Sequence, residues 1–355
     1  MEALGVAVAA RVPVLLWGAP GTGKTSAIRA MAETMGWPCE TVIAAIREPS
    51  DFAGLPVIAN GNVRFAPPQW AERLASSGKG LLFLDEISTA PPAVQAALLR
   101  VVLERAVGDL TLPDDVVVVA AANPPEQAAD GWDLSAPLAN RFCHLDWTVD
   151  PQRFAQGIAG GFDAPQVPKL SDDWATQLPL ARGLVSAFIT VRPALAVAVP
   201  TDAASAGRGW PSPRTWEMAA NLWTAATVSL ASQEARSALV VGAIGDGAGV
   251  EFLSWIEEMD LPDPEEVLSD PGSFVLPDRG DRAYAALSAV AAAVASNPTP
   301  DRWNAGWKVL AGAGKDAPDI AATAARVLAQ CRPEGATAPK EIKIFAPLLR
   351  EAGLM

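Results

Sequence analysis

The sequence predicts an α/β fold in which a five-stranded parallel sheet is covered by helices and followed by further helical regions. Apolar strand-like runs alternate with helical runs over residues 1–150, which is the pattern of a parallel sheet with helices packed on it. Strand signals stop after Asp150. Half of the 355 residues are apolar, so the chain can bury a sizeable core.

Five apolar runs are predicted to form the strands of this sheet. They are Val12–Trp17, Glu40–Ala45, Gly80–Leu84, Val116–Ala122 and His144–Trp147. Polar or charged residues follow each of the first four strands. Because ligands gather at the carboxyl ends of the strands in open parallel sheets, functional residues are expected at those ends.

Two hairpins are predicted to project from the sheet domain. The first spans Leu55–Phe65, where Asn60-Gly61 between apolar residues is a strong hairpin signal. The second spans Val107–Val116, with its turn expected around Leu112-Pro113-Asp114. Such hairpins can face a partner or belong to the core, and the sequence leaves both interpretations open.

The chain is predicted to contain three domains: an α/β domain over residues 1–150, a helical lid over 151–235 and a helical region of unknown role over 236–355. Gly242–Gly249 carries four glycines and is interpreted as a joint. The runs Ala283–Ala295 and Ile320–Leu328 are predicted helices, and Pro318-Asp319 is a plausible start for the second.

Composition narrows the range of partners. The formal net charge is −13, from 27 Lys and Arg against 40 Asp and Glu, and an acidic surface of this size disfavours general nucleic-acid binding.

The cysteines, Cys39, Cys143 and Cys331, lie far apart, as expected for a reducing cytosol. No run is predicted to span a membrane, and Glu2 without a basic leader argues against a signal peptide. A cytoplasmic location is therefore expected.

The most specific motif is a glycine-rich loop between the first strand and the helix-like segment Ser26–Ala32. It fits GxxxxGK[ST] and comprises Gly18, Ala19, Pro20, Gly21, Thr22, Gly23, Lys24 and Thr25, followed by Ser26. Its glycines let successive N–H groups point at phosphate oxygens, and the helix N-terminus adds favourable dipole charge. Lys24 is expected to reach the β- and γ-phosphates, and the Thr25 hydroxyl to bind Mg²⁺. The loop predicts binding of a nucleoside triphosphate, the alternative being a glycine-rich turn that matches by chance.

Two other strand ends carry residues suited to phosphate chemistry. Asp85 and Glu86 follow the apolar run Leu81–Leu84. Asp85 is expected to hold Mg²⁺ through water, and Glu86 to orient the attacking water, since phosphoryl transfer depends mostly on positioning and charge neutralisation. Asn123 ends the fourth strand before Pro124 and could sit between the water and the γ-phosphate. The alternatives are solvated acids after a buried strand and a simple Asn-Pro turn.

Together with Leu138-Ala139-Asn140-Arg141-Phe142 before the last strand, these motifs resemble those of an AAA+ ATPase of the MoxR-like, dynein-related group. Trp210-Pro211-Ser212-Pro213-Arg214 resembles the second-sensor motif in the helical lid of that family. The resemblance covers residues 10–225. It implies a P-loop sheet core with a helical lid, ATP and Mg²⁺ as ligands, and catalytic roles for Lys24, Glu86 and Asn123.

The resemblance also implies roles for two arginines. Arg141 would be the arginine finger that reaches the site of a neighbouring subunit, and Arg214 would touch the γ-phosphate from the lid of its own subunit. The alternatives are an arginine capping a helix C-terminus and one lying along a helix face. A finger supplied in trans implies a ring, in this family a homo-hexamer. The implied client is a protein, often one with a von Willebrand factor A domain.

The sequence departs from the family pattern after Asp85-Glu86-Ile87, where relatives often have Asn-Arg and this chain has Ser88-Thr89. The lone histidine, His144, is expected to be a core or edge residue without a catalytic role. The leading hypothesis is Mg²⁺-dependent ATP hydrolysis that remodels or matures a partner protein. The alternatives are a DNA-acting motor, which would need basic hairpins, and a slow ATP-gated scaffold. Arg64 is basic on the first hairpin, whereas Val107–Val116 carries no Lys or Arg.

Overall fold

The computed structural model describes residues 1–124, 132–259 and 261–354. These residues group into two compact units, one made of residues 1–170 with 197–249 and the other of residues 171–196 with 250–355. The division into three domains stays a prediction. Among the described residues, no helix has the length and apolarity that crossing a bilayer would require.

The first unit holds every described strand. The strands are β1 (Val14–Trp17), β2 (Cys39–Ile43), β3 (Leu55–Ala59), β4 (Asn62–Ala66), β5 (Lys79–Asp85), β6 (Ala106–Val107), β7 (Leu110–Thr111), β8 (Asp115–Ala122) and β9 (Cys143–Asp146). The helices up to residue 160 are α1 (Glu2–Ala9), α2 (Lys24–Met35), α3 (Ser50–Ala53), α4 (Gln69–Ser77), α5 (Pro92–Glu104), α6 (Ala136–Ala139) and α7 (Pro151–Gly160).

The later part of the described chain is helical. Its helices are α8 (Leu178–Val191), α9 (Ala203–Ala206), α10 (Pro213–Val228), α11 (Gln233–Ile244), α12 (Asp246–Met259), α13 (Pro264–Ser269), α14 (Gly280–Ser296), α15 (Pro300–Asp316), α16 (Pro318–Gln330) and α17 (Ala346–Glu351). The two helices predicted in the last region are confirmed as α14 and α16, and α16 begins at Pro318 as predicted.

The main sheet has the strand order β2-β5-β8-β1-β9, and all of its pairs are parallel. The predicted five-stranded parallel sheet is therefore confirmed, with shifts of one or two residues at strand ends. Leu15, Leu82 and Val119 of the three central strands are fully buried, as expected when helices cover both faces of a parallel sheet. The chain has the P-loop α/β architecture that its motifs predict.

The first predicted hairpin is confirmed as β3–β4, whose two-residue turn is Asn60-Gly61 with φ values of 52° and 79°. The second hairpin, β6–β7, has its turn at Gly108-Asp109, so the turn predicted around Leu112-Pro113-Asp114 is wrong. Gly108 adopts a φ of 58°, which glycine accepts without steric cost. The carbonyls of Pro113 and Asp114 instead accept hydrogen bonds from Arg105 Nη2 at 2.6 and 3.0 Å, just before β8 begins.

The second unit packs around a separate apolar core. Trp303 and Trp307 of α15 are fully buried, and their rings meet edge to face, with centroids 6.0 Å apart. The Trp303 indole donates a hydrogen bond to the carbonyl of Leu328 on α16 at 2.7 Å. The aromatic residues of α15 thus hold α16 by both apolar contact and a buried hydrogen bond.

Candidate active site

The glycine-rich loop lies at the carboxyl end of β1, between the ends of β8 and β9. Gly18 N donates to the carbonyl of Ala122 at 3.1 Å, which ties the start of the loop to the end of β8. A Cβ atom on Gly18 would lie 2.6 Å from the carbonyl oxygen of Trp147, so only glycine fits at this close approach. Gly23 adopts a φ of 87° at the N-cap of α2. The loop therefore delivers the chain directly into the N-terminus of α2, as an anion-binding loop must.

Lys24 is buried at the first position of α2, with 8% of its surface exposed. Its ammonium donates to the carbonyls of Gly18 and Ala19 at 2.6 and 3.0 Å and to Asn123 Oδ1 at 3.3 Å. Burial lowers the pKa of Lys24 below its ordinary value, while the nearby Asp85 carboxylate acts in the opposite direction. Lys24 and Asn123, which are 99 residues apart in sequence, thus form one polar group at the ends of β1 and β8.

Thr25 and Asp85 meet at the same edge of the sheet. The Thr25 hydroxyl donates to Asp85 Oδ2 at 2.9 Å, across 60 residues of sequence. A hydroxyl and a carboxylate are hard oxygen donors, and Mg²⁺ in phosphate-transfer sites is held by one or two such groups together with substrate phosphates. The donor set therefore fits Mg²⁺, with Thr25 and Asp85 as the residues that would hold it.

Glu86 follows the strand in an unusual backbone conformation. It is exposed and has φ 57° and ψ 39°, in the left-handed region that non-glycine residues rarely adopt. Such conformations cost of order 1–3 kcal/mol and cluster at functional sites. Its N–H donates to Asp85 Oδ1 at 3.0 Å, and its carbonyl accepts from the Thr89 hydroxyl at 2.9 Å. The backbone thereby turns the Glu86 side chain away from the strand direction, beside Asp85.

Arg141 lies at the opposite edge of the sheet from these groups. It immediately precedes Phe142 and β9, which pairs with β1 from Cys143 opposite Val14 to Asp146 opposite Trp17. At a rise of about 3.3 Å per residue, the three steps of β1 separate the two edges by roughly 10 Å. The guanidinium donates to the carbonyl of Pro137 in its own helix α6. The Arg141 guanidinium therefore lies against its own helix α6.

Arg214 lies beside Arg141, although the sequence places it in the predicted lid. Its Nη1 donates to Asn140 Oδ1 at 3.3 Å. Burial, and secondarily the positive charge of Arg214, lowers the pKa of Arg141. Among the described residues, no hydrogen bond or ion pair joins Arg214 to Lys24, Asp85 or Glu86. The two arginines thus lie side by side next to Asn140.

Asn140 holds the arginine pair together and was not singled out in the sequence. It is 2% exposed. Its Nδ2 donates to the carbonyl of Trp210 at 3.2 Å, and its Oδ1 accepts from the Ser212 hydroxyl at 2.9 Å. Ser212 is the N-cap of α10 and forms a capping box with Thr215. Serine followed by proline is a sequence signal for a helix start at Ser212, whereas nothing local predicts the bond to Asn140.

Trp17, the last residue of β1, is packed between His144 and Arg208. Neither residue was assigned to the site from the sequence. Its indole donates to His144 Nδ1 at 2.9 Å. The guanidinium of Arg208 lies over its ring, 4.1 Å from the centroid, and pairs with Asp146 at 3.1 Å. Arg208, Trp17, Ser88 and Asn123 share a cavity of about 50 Å³. Arg208 is therefore a positive charge of the later helical segment that lies near the Asn123 end of the site.

These features define a P-loop nucleotide site of the ATPase kind. Residues 13–142 match the AAA domain family, dynein-related subfamily. Residues 13–142 therefore form an AAA domain of the dynein-related subfamily, which supports ATPase activity.

Curated relatives match part of the chain. Human ATPase family gene 2 protein homolog B is 38% identical over 134 residues, which are 36% of this chain and 16% of the human protein. Chaperone MoxR1 of Mycobacterium tuberculosis is 31% identical over 131 residues, which are 36% of this chain and 33% of that protein. The chain thus spans at most a third of the length of either relative. The crystal structure of a protein titled a putative ATPase, from Cytophaga hutchinsonii, aligns with 72% of this chain and with 87% of its own chain. The identity is 18% and the TM-score is 0.47.

Proposed function

We propose that the chain hydrolyses ATP with Mg²⁺ in a homo-oligomeric ring, in this family a hexamer, and that hydrolysis remodels or matures a partner protein. The observation that carries the proposal is the hydrogen bond of 2.9 Å between Thr25 Oγ1 and Asp85 Oδ2. It brings the hydroxyl of the phosphate loop and the strand-end carboxylate to one point. Lys24 and Asn123 meet beside it.

Each residue of this group has a role that its position supports. The N–H groups of the phosphate loop and the Lys24 ammonium bind the phosphates. Glu86 orients the attacking water and accepts its proton, while Asn123 fixes the Lys24 end of the γ-phosphate. Mg²⁺ held by Thr25 and Asp85 would neutralise the charge on the phosphate oxygens.

We propose that Arg141 acts on the site of the neighbouring subunit, whereas Arg214 touches the γ-phosphate from the lid of its own subunit. Arg141 precedes β9, whose first residues pair with the start of β1, and the phosphate loop follows the other end of β1. Arg214 lies beside Arg141 through its hydrogen bond to Asn140. An arginine supplied in trans can accelerate phosphoryl transfer by roughly 10³–10⁵-fold.

A protein is the client that the surface favours. The hairpin β3–β4 exposes large apolar side chains on both strands, with Leu55 60%, Ile58 84% and Val63 63% exposed. Exposed apolar surface of this kind marks contact with protein rather than with a polyanion, and the net charge of −13 points the same way. A protein with a von Willebrand factor A domain is the first client to test.

The same proposal includes a helical lid over residues 151–235, a further helical region over 236–355, and a cytoplasmic location.

Glu86→Gln tests the catalytic assignment. The variant should keep ATP binding, because the phosphate loop is unchanged, and lose turnover by roughly 10²–10⁴-fold, the usual contribution of a general base. Steady-state ATP turnover and binding of a fluorescent ATP analogue measure the two. Glu33→Gln, an exposed residue of α2, serves as the control. Turnover near the wild-type value in Glu86→Gln would show that Glu86 does not have this role.

The client is tested by measuring turnover of the wild-type chain alone, with DNA and with a candidate protein. Stimulation by the protein and indifference to DNA are expected. Stimulation by DNA would replace the proposed function with that of a DNA-acting motor. Tight binding without turnover in every case would replace it with that of an ATP-gated scaffold.

A further inference from the structure

Gln95 is a buried amide on α5 that binds two separate loops. It is 1% exposed and lies among apolar residues of the same helix, including Val94 and Leu98. Its Nε2 donates to the carbonyls of Ala90 and Asp133 at 3.1 and 3.3 Å, and its Oε1 accepts from Ser135 N at 2.9 Å. Both ends of the amide are therefore satisfied by main-chain groups.

The first of these loops belongs to the catalytic edge of the site. It runs from Glu86 to Ala90 and forms a short 3₁₀ turn over Ile87–Thr89. Within it, the Thr89 hydroxyl donates to the carbonyl of Glu86 at 2.9 Å, and Ala90 N donates to the carbonyl of Ile87. Glu86 and Ala90 are thus connected by a compact, hydrogen-bonded turn.

The second loop leads directly to the arginine pair. Ser135 is the N-cap of α6, and Asn140 and Arg141 follow that helix. A main-chain hydrogen bond also joins the two loops directly, since Trp132 N donates to the carbonyl of Ser88 at 3.0 Å. From Asn140 the contacts continue to Ser212 and Arg214.

We propose that Gln95 is a positioning residue that couples the Glu86–Ala90 turn of its own site to Arg141, which the same chain presents to the next subunit. The direction of Arg141 toward a neighbour rests on the proposed function. The coupling itself rests on the three hydrogen bonds of Gln95. Helix α5 is anchored in the core by Leu98 and Val101, both fully buried, and the Gln95 amide contacts Ala90 and Ser135 at the same time, so a shift of Ala90 that turns the amide changes its contact with Ser135. ATP bound in one site would in this way set the arginine offered to the next.

The coupling is measured by hydrogen–deuterium exchange of the full chain with and without Mg²⁺ and a non-hydrolysable ATP analogue. In the wild-type chain, the analogue should change exchange both at residues 86–90 and at residues 133–141. Gln95→Met removes the amide at similar side-chain length, and the response at 133–141 should then fall by roughly fivefold or more while that at 86–90 remains. Gln95→Glu keeps the acceptor for Ser135 N but places a carboxylate oxygen in place of the donor that faces the carbonyls of Ala90 and Asp133. The resulting repulsion should also lower the response at 133–141, which tests the proposal if Gln95→Met does not fold.

The control is Thr224→Val, which removes a buried hydrogen bond to the carbonyl of Ala220 inside α10. It should lower the melting temperature and leave both exchange responses unchanged. A response of wild-type size at 133–141 in the Gln95 variants would overturn the coupling role. A wild-type chain that responds at 86–90 and not at 133–141 would overturn it too, with the proposed function intact. A wild-type chain with no response at 86–90 would count against the nucleotide site itself.

Discussion

His144, the lone histidine, shows at the residue scale how burial fixes a protonation state. It is 8% exposed, and its Nδ1 accepts from the Trp17 indole while Nε2 donates to the carbonyl of Ala139 at 2.9 Å. Burial lowers the pKa of His144 to about 4. The neutral imidazole thus joins the end of β1 to α6, a structural role that agrees with the expectation of a core or edge residue.

This burial predicts a pH-dependent stability. The pKa of His144 is lower in the fold than in the unfolded chain, so the unfolded state gains a proton first as the pH falls. The free energy of unfolding should decrease between about pH 6.5 and pH 4, by about 3 kcal/mol in total. Urea unfolding of wild type and His144→Gln across this range isolates the effect, because other titrating groups are common to both. The advantage of the wild type should shrink as the pH falls, and a constant difference would contradict the assignment.

The sequence predicted that one group of residues would meet at the carboxyl edge of the sheet, because each belongs to a local motif at a strand end. The group comprises Lys24, Asp85, Glu86 and Asn123. Asn140, Gln95 and Arg208 were not predicted. Their partners lie 70, 40 and 62 residues away at Trp210, Ser135 and Asp146, and only the fold brings them together. A polar residue at a buried position of an apolar helix face, as at Gln95, was the one available signal.

At the scale of elements, the N-terminus of α10 is bound to the end of α6. The Ser212 hydroxyl both caps α10, accepting from Thr215 N, and donates to Asn140. One side chain thus fixes a helix start and the segment that carries Arg141.

Ser212→Ala should separate these two roles when compared with Asp263→Ala, since Asp263 caps α13 in the second unit by accepting from Glu265 N at 2.8 Å. Each variant should lose about 1 kcal/mol of stability with its cap. Only Ser212→Ala should also lower ATP turnover several-fold, because Asn140, which binds Arg214, loses the hydrogen bond from Ser212. Chemical denaturation and steady-state turnover measure the two effects. Equal turnover in both variants would show that the bond between Ser212 and Asn140 has no functional part.

Secondary-structure elements were predicted correctly from the sequence where their signals were local. The strands, the β3–β4 turn and the start of α16 were predicted from apolar runs, Asn-Gly and Pro. The turn of β6–β7 was misplaced because Pro113 is a strong turn signal, whereas Gly108 provides the positive φ that the two-residue turn adopts.

At the scale of the whole molecule, the proposed catalytic groups are divided between two edges of one sheet. Lys24, Asp85 and Asn123 lie at the carboxyl ends of the strands, and Arg141 precedes the amino end of β9. Such a division is functional only if the two edges meet between copies of the chain, as in a heterologous, ring-closing interface. The proposed activity therefore depends on assembly.

The most direct test mixes two inactive variants and measures ATP turnover. Arg141→Ala keeps its own catalytic glutamate and deprives its neighbour of an arginine, whereas Glu86→Gln has the opposite defect. A random equal mixture should regain about a quarter of the wild-type turnover, from sites that combine Glu86 of one chain with Arg141 of another. Full activity of Arg141→Ala alone, or a mixture as inactive as its components once co-assembly of the two chains is verified, would contradict a site completed in trans.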